Sequence, residues 1–179
     1  MDKLIFNFKG SKYIISNFKK SDINNKYLSW LNDKNSMEFS RHKHIKYTKK
    51  KCINFFNLLK RKKNIFYSIY CLIDKKKIHI GNSIILLDHK NKSGEMSILI
   101  GDKNFRKEGI GTYVWGKIMK YVLKKYKLRI IISGTMANHK AMIKIFIKNK
   151  MKTYTTPKRF FYKQKEVDGI YAYFKNKNI

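Results

Sequence analysis

Apolar and polar positions along the chain switch between a two-residue and a helical period, and the switches mark out its elements. Leu4–Phe18 carries apolar residues on both sides of Gly10-Ser11, as a strand or short hairpin would. Ser21 or Asp22 can cap a helix whose Ile23, Tyr27, Trp30 and Leu31 share a face. Thr48 can cap a second, with Cys52, Phe55, Phe56 and Leu59 on its apolar stripe. Three strand-like runs follow, Phe66–Ile73, Ile78–Leu87 and Glu95–Ile100, joined by polar turns at Asp74–Lys77 and Asp88–Gly94. Connections this short predict an antiparallel meander.

After Gly109 the period becomes helical. Ile110, Tyr113, Val114, Ile118, Tyr121 and Val122 define one face, and Lys117, Lys120, Lys124 and Lys125 lie outside it. Leu128–Gly134 reads as a strand without a solvent face. Asn138 opens another helix with Ala141, Met142, Ile145 and Phe146 inward and Lys140, Lys144 and Lys148 as a solvated stripe. Strands near Lys152–Thr156 and Val167–Phe174 flank the basic loop Pro157–Lys165. The order is strand, two helices, three strands, helix, strand, helix, two strands, which is an α/β domain with a mixed sheet. No linker, repeat or composition shift interrupts it, so residues 1–179 are expected to form a single domain. Ligands of such sheets bind where neighbouring strands diverge, beside the helix that follows a strand.

Composition changes this picture in one respect, the formal charge of +31. Such a charge suits a nucleic acid, an acidic membrane or an anionic substrate. Yet only five of the 42 basic residues are Arg. Lys, Asn and Ile fill 78 positions against three Ala and one Pro, the composition that A/T-rich codons write. Much of the charge then reads as solvated Lys surface. Scarce Arg, the residue that forks onto phosphate and guanine, argues against nucleic acid. Hydrophobic residues make up 43% and are spread along the chain, which excludes a disordered basic tail.

Cys52 and Cys71 sit in apolar surroundings and form no CxxC pair, as reduced thiols of a cytoplasmic protein would. His42 and His44 form a lone H-x-H with no Cys or carboxylate at ligand spacing, so no metal site is expected. No apolar run approaches a membrane span, and Met1–Gly10 lacks the pattern of a signal peptide. Membrane insertion is not expected.

The candidate chemistry lies in Glu95–Thr112, a strand and loop leading through Arg106-x-x-Gly109-x-Gly111 into a helix. Glycines at 109 and 111 remove side chains where backbone must approach a ligand. Free N–H groups in the first helical turn favour an anion such as a pyrophosphate. The spacing is neither that of a P-loop nor the full dinucleotide fingerprint. Glycines at a helix start also serve plain packing.

These residues resemble the GNAT superfamily of N-acetyltransferases, whose hallmark is Q/R-x-x-G-x-G/A after the fourth strand. Arg106, Gly109 and Gly111 match its three positions. Asn138, opening the helix after the next strand, matches a second hallmark, and the element order agrees over essentially the whole chain. Tyr27-Leu-Ser-Trp-Leu-Asn-Asp33 resembles the branch of amino-sugar and ribosomal-protein N-terminal acetyltransferases. The resemblance implies a mixed, mostly antiparallel sheet flanked by about four helices and splayed between its fourth and fifth strands.

It also implies acetyl-CoA as cofactor. Backbone amides of Arg106, Lys107, Glu108, Gly109, Ile110, Gly111 and Thr112 would hold the pyrophosphate. Leu99, Ile100 and Gly101 would pair with the pantetheine amides, Asn138 would bond the pantetheine arm and Phe146 would pack along it. Glu95 stands where several members place the general base, with a structural or substrate-orienting carboxylate as the alternative. Many members carry a Tyr on the last helix to protonate the leaving thiolate. Here Ile145 and Phe146 occupy that neighbourhood, leaving Tyr154 or a water for the task. Lys150 stands where the pattern usually has Gly.

The resemblance further implies a primary amine as the acceptor. Arg41, His42 and Arg159, with His44 and Lys158, would make the mouth of the acceptor site cationic, favouring a small anionic amine such as a nucleotide-linked amino sugar. A protein N-terminus is the alternative acceptor, and a non-catalytic basic domain of the same fold the alternative class. Homodimerisation is implied by the superfamily alone.

Overall fold

A computed structural model describes residues 3–40 and 42–176. Its strands are β1 (Lys3–Phe8), β2 (Ser11–Asn17), β3 (Ile65–Ile73), β4 (Lys76–Asp88), β5 (Ser93–Ile100), β6 (Ile130–Met136), β7 (Lys152–Tyr162) and β8 (Lys165–Lys175). Its helices are α1 (Asn25–Asn32), α2 (Lys49–Arg61), α3 (Ile110–Lys125) and α4 (Lys140–Lys148). The described residues thus form the expected α/β fold, a mostly antiparallel sheet with four helices. The chain divides into two compact units, Met1–Leu86 with Ser97–Ile110, and Leu87–Met96 with Gly111–Ile179.

In the first unit β1 to β4 form an antiparallel meander that continues into the second half of β5. Gly10, at a φ of 75°, closes the β1–β2 hairpin with Phe8 opposite Ser11, so the first apolar run is a hairpin. A cluster of Phe18, Ile23, Tyr27, Trp30, Cys52, Leu59 and Phe66 joins α1 and α2 to the sheet, and Phe18 stacks on Phe66 at 3.8 Å. Thr48 caps α2 as expected, accepting from Lys51 N at 3.3 Å. The cap of α1 is Asn24 instead of Ser21 or Asp22, because the Asp22 carboxylate is spent on Lys19 N, Ser68 and Tyr70. On α2 the inward positions are Cys52, Ile53, Phe56 and Leu59, while Phe55 is 43% exposed.

One irregularity matters for the site. Ile69 pairs with Gly81 but Tyr70 pairs with His79, so Ile80 is an extra residue bulged out of register in β4. Its carbonyl accepts from both Gly101 N at 2.9 Å and Asp102 N at 3.1 Å.

In the second unit the strand order is β5-β6-β8-β7. β5 and β6, the fourth and fifth strands of the sequence reading, form the parallel pair, and it runs only from Ser93–Glu95 to Ile130–Ile132. A ladder this short is what a sheet splaying at that point requires. The Ser133 hydroxyl adds one bond, to Met96 O at 2.9 Å. Val114, Trp115, Ile118, Met119, Val122 and Leu123 of α3 are buried, whereas Tyr113 and Tyr121 are only half-buried. Trp115 meets Phe146 of α4 edge to face at 5.9 Å. A Cβ on Gly116 would fall 2.4 Å from Asn149 Oδ1, so glycine there lets the end of α4 reach α3, where Asn149 donates to Thr112 O at 3.1 Å.

Three expectations are corrected in this unit. β6 is not buried on both sides: Ile131 and Ser133 face inward, but Ile132 is 39% exposed. Ala141 on α4 is exposed, leaving Met142 and Phe146 as the buried anchors. The segment Pro157–Lys165 is mainly strand, because β7 runs on to Tyr162 and absorbs Pro157 at a register shift between Thr156 and Phe160. Proline is tolerated at such an irregularity on an edge strand. Lys150 adopts a φ of 55°, the left-handed conformation that explains why glycine suits that position. Among the described residues no helix is long and apolar enough to cross a membrane.

Candidate active site

The candidate loop is built on the end of β5. Trp30 of α1 lies against Gly101 so closely that a Cβ there would sit 2.0 Å from the indole Cδ2. Gly101 N and Asp102 N are both held by the bulged Ile80 carbonyl. Asp102 then caps a 3-10 turn over Lys103–Phe105 through Asn104 N at 3.1 Å. Two ion pairs bind this turn to α1, Lys26 to Asp102 at 2.7 Å and Lys103 to Asp33 at 3.4 Å.

Arg106 turns back onto the strand. Its Nε donates to Ile100 O at 2.9 Å, and its Nη2 donates to Gly101 O and to Ser36 Oγ, both at 2.7 Å. Ser36 in turn donates to Asp33 Oδ2 at 2.7 Å, which with Lys103 holds that carboxyl below its usual range. The guanidinium therefore fixes the strand end and the loop after α1. Its charge-assisted bonds are of the stronger kind.

Beyond Arg106 the backbone enters the left-handed region twice, at Lys107 with φ 66° and Gly109 with φ 87°. Only Phe8 Cζ, at 3.8 Å, stands near a Cβ placed on Gly109, so conformation and not crowding calls for glycine. Glu108 is exposed and pairs with Lys9 at 3.3 Å. Ile110 is buried and opens α3, where Gly111 and Thr112 fall in the first turn. N–H groups of a first helical turn have no partner within the helix. A left-handed glycine followed by the first-turn amides of a helix is a backbone arrangement that fits a pyrophosphate, as acetyl-CoA would require.

Part of the expected pantetheine ladder is corrected. Gly101 already spends its N–H on Ile80 and its carbonyl on Arg106. Leu99 and Ile100 are both half-buried, and the Ile100 carbonyl likewise accepts from Arg106 Nε at 2.9 Å. Phe146 does not line such an arm: it is 0% exposed and packs on Trp115. Asn138 is exposed in the turn before α4.

Glu95 is an exposed residue on β5, opposite Ile132 of β6. Tyr154 is 55% exposed on β7 and stacks on Tyr171 at 5.5 Å. β7 lies three strands from β5 in the order β5-β6-β8-β7, a separation of about 14 Å at the usual strand spacing. Glu95 and Tyr154 are thus not brought together by the strand order. Arg41 lies outside the described residues. His42 is exposed in the first unit, its N–H bonded to Ser40 Oγ at 3.1 Å. Arg159 is exposed in the second, its Nε donating to Tyr171 OH at 3.2 Å. Among the described residues no three His, Cys, Asp or Glu side chains gather as metal ligands would.

Sequence reasoning missed His79. It is buried among Phe18, Tyr27, Trp30 and Tyr70, with Trp30 nearest at 5.0 Å. Nε2 lies 3.0 Å from Gly81 O, while Nδ1 is buried without a hydrogen-bond partner. A single His in a strand carries no spacing signal that could have revealed it.

A strand end clamped by Arg and feeding a left-handed glycine at a helix start is a geometry suited to the pyrophosphate of a nucleotide cofactor. Residues 12–152 match the model of the acetyltransferase (GNAT) domain, and the chain belongs to that family. It is an acetyltransferase, with acetyl-CoA as cosubstrate. No curated protein matches the sequence significantly. Among solved structures, the fold is similar to that of spermidine N-acetyltransferase from Vibrio cholerae in complex with CoA and spermine. There the TM-score is 0.79 at 13% identity, over 91% of this chain and 95% of that one. A ribosomal alpha-N-protein acetyltransferase in complex with CoA gives a TM-score of 0.79 at 12% identity, over 96% and 98% of the two chains. The ribosomal-protein-alanine N-acetyltransferase from Brucella melitensis gives 0.73 at 14%, over 90% and 99%.

Proposed function

We propose that this chain transfers an acetyl group directly from acetyl-CoA to the primary amine of a small anionic molecule, a nucleotide-linked amino sugar being the best instance. The observation that carries the reading is the Arg106 clamp. It holds the Ile100 and Gly101 carbonyls and releases the chain into the left-handed Gly109 at the start of α3. Amides from Gly109 to Thr112 receive the pyrophosphate, and Leu99 and Ile100 receive the pantetheine arm. Bound acetyl-CoA supplies an activated thioester. Glu95, exposed on β5, takes the proton that the acceptor's ammonium must lose before its nitrogen can attack. A solvent water reprotonates the thiolate, since the Tyr154 ring is engaged with Tyr171 away from Glu95.

The charge of +31 supports an anionic acceptor and opposes a polyamine, which like charges repel. A protein N-terminus is the second reading, favoured by the likeness to the two ribosomal-protein enzymes. The protein works in the cytoplasm, a setting that two buried free cysteines suit.

Calorimetric titration with acetyl-CoA at elevated salt tests the reading. One saturable site of roughly micromolar affinity, about −8 kcal/mol, is expected, followed by turnover with amino-sugar nucleotides. A Gly111→Trp variant should lose acetyl-CoA binding while retaining any bulk attraction for polyanions. Retained affinity in that variant would overturn the site. A steep loss of all binding with salt would point to a non-catalytic anion binder.

A further inference from the structure

We infer that the open face of β8 and β7 is a stacking platform for the base of a nucleotide, with Arg159 as its phosphate-facing cation. Burial alternates along these strands, so that Ile131, Ser133 and Ala172 face the interior while Ile132, Gly134, Tyr171, Tyr173 and Tyr154 share the other side. Two glycines make room on that side. A Cβ on Gly134 would fall 2.9 Å from Tyr171 Cε1, and one on Gly169 would fall 3.2 Å from Tyr171 Cε2. The Tyr171 ring therefore lies across the sheet, in the space of two missing side chains. Tyr154 stacks beside it at 5.5 Å, with the ring planes only 17° apart.

The exposed Tyr154 and the half-buried Tyr171, laid nearly parallel, offer a π-surface to a flat ligand. Arg159 stands at the rim. Its Nε donates to Tyr171 OH at 3.2 Å, and that bond uses one of the five N–H donors of a guanidinium. The remaining fork is shaped for phosphate oxygens. A nucleotide presents such a flat ring and phosphate together. β8 lies two strands from β5, about 10 Å at ordinary spacing. A base on Tyr171 would leave room for a diphosphate and a sugar before Glu95. The platform thus deepens the proposed function by giving the acceptor's nucleotide a seat, and for its meaning it rests on that reading.

The test is calorimetric titration of the full chain with uridine diphosphate under saturating CoA, which blocks the cofactor's own nucleotide site. Wild type should bind UDP more tightly than inorganic pyrophosphate. Tyr154→Ala and Arg159→Ala should each weaken UDP about tenfold, and Tyr154→Phe should retain it. CoA affinity, measured separately, should be unchanged in all three and reports that they fold. No UDP binding by wild type, equal binding of pyrophosphate, or an unaffected Tyr154→Ala would each overturn the platform. The two readings fail separately. UDP binding without acetyl transfer sinks the transferase alone, and acetyl-CoA turnover without UDP binding sinks the platform alone.

Discussion

Trp30 and Gly101 are in such close contact that no side chain can be inserted between them: a Cβ on Gly101 would lie 2.0 Å from Cδ2 and 2.3 Å from Cε3 of the indole. The nearly buried indole thereby sets where the end of β5 lies. Gly101→Ala is expected to cost about 1–3 kcal/mol of stability, as overpacking does. It should also weaken acetyl-CoA binding, because the displaced strand end carries Leu99 and Ile100. Denaturant unfolding with parallel calorimetry checks both. An unchanged midpoint would mean that Trp30 can step aside.

Arg106 makes three hydrogen bonds, two of them to carbonyls at the strand end. Bonds involving a charged group contribute about 1.5–3 kcal/mol each. Arg106→Ala should raise the KM for acetyl-CoA at least tenfold. Arg106→Lys should recover little, since an ammonium cannot reproduce the planar fork. Full rescue by Lys would show that charge alone matters.

Glu95→Gln should lower kcat about a hundredfold, the scale of a lost general base, with little change in acetyl-CoA affinity. Its deficit should shrink at high pH, where the acceptor amine is already neutral. Tyr154→Phe should leave kcat intact. Steady-state kinetics across pH settle both, and a Glu95→Gln enzyme of normal kcat would reassign the carboxylate to a structural role.

Burial lowers the pKa of His79 below its ordinary 6.5, with Lys26 acting in the same direction and Asp22 and the Gly81 carbonyl against it. Protonation would put an N–H on the buried, unpartnered Nδ1. The unfolded chain then binds this proton more readily than the folded one, so stability rises with pH. The contribution is fully present above about pH 6.5 and is lost as pH falls towards the depressed folded value. Asp33 and Asp88, whose carboxyls are lowered from 3.8, lose stability only in more acid solution. The melting temperature should therefore begin to drop below about pH 6.5, and His79→Gln should flatten that part of the curve. An identical curve in the variant would clear His79 of the effect.

The amino-acid pattern alone carried the element order, the Thr48 cap and the position of the glycine loop, because these depend on local periodicity and backbone freedom. It misplaced the cap of α1, since what disqualifies Asp22 is its bonds to Ser68 and Tyr70, 46 and 48 residues away. It took β6 as buried on both sides because apolar residue type does not say which face a second layer covers. Lys150 hid a left-handed position behind a side chain in place of glycine. The inward turn of Arg106, the burial of Phe146 and the separation of Tyr154 from Glu95 were decided by tertiary structure. Each depends on which strand or helix stands beside the residue, and strand order and helix packing join positions that no local period relates.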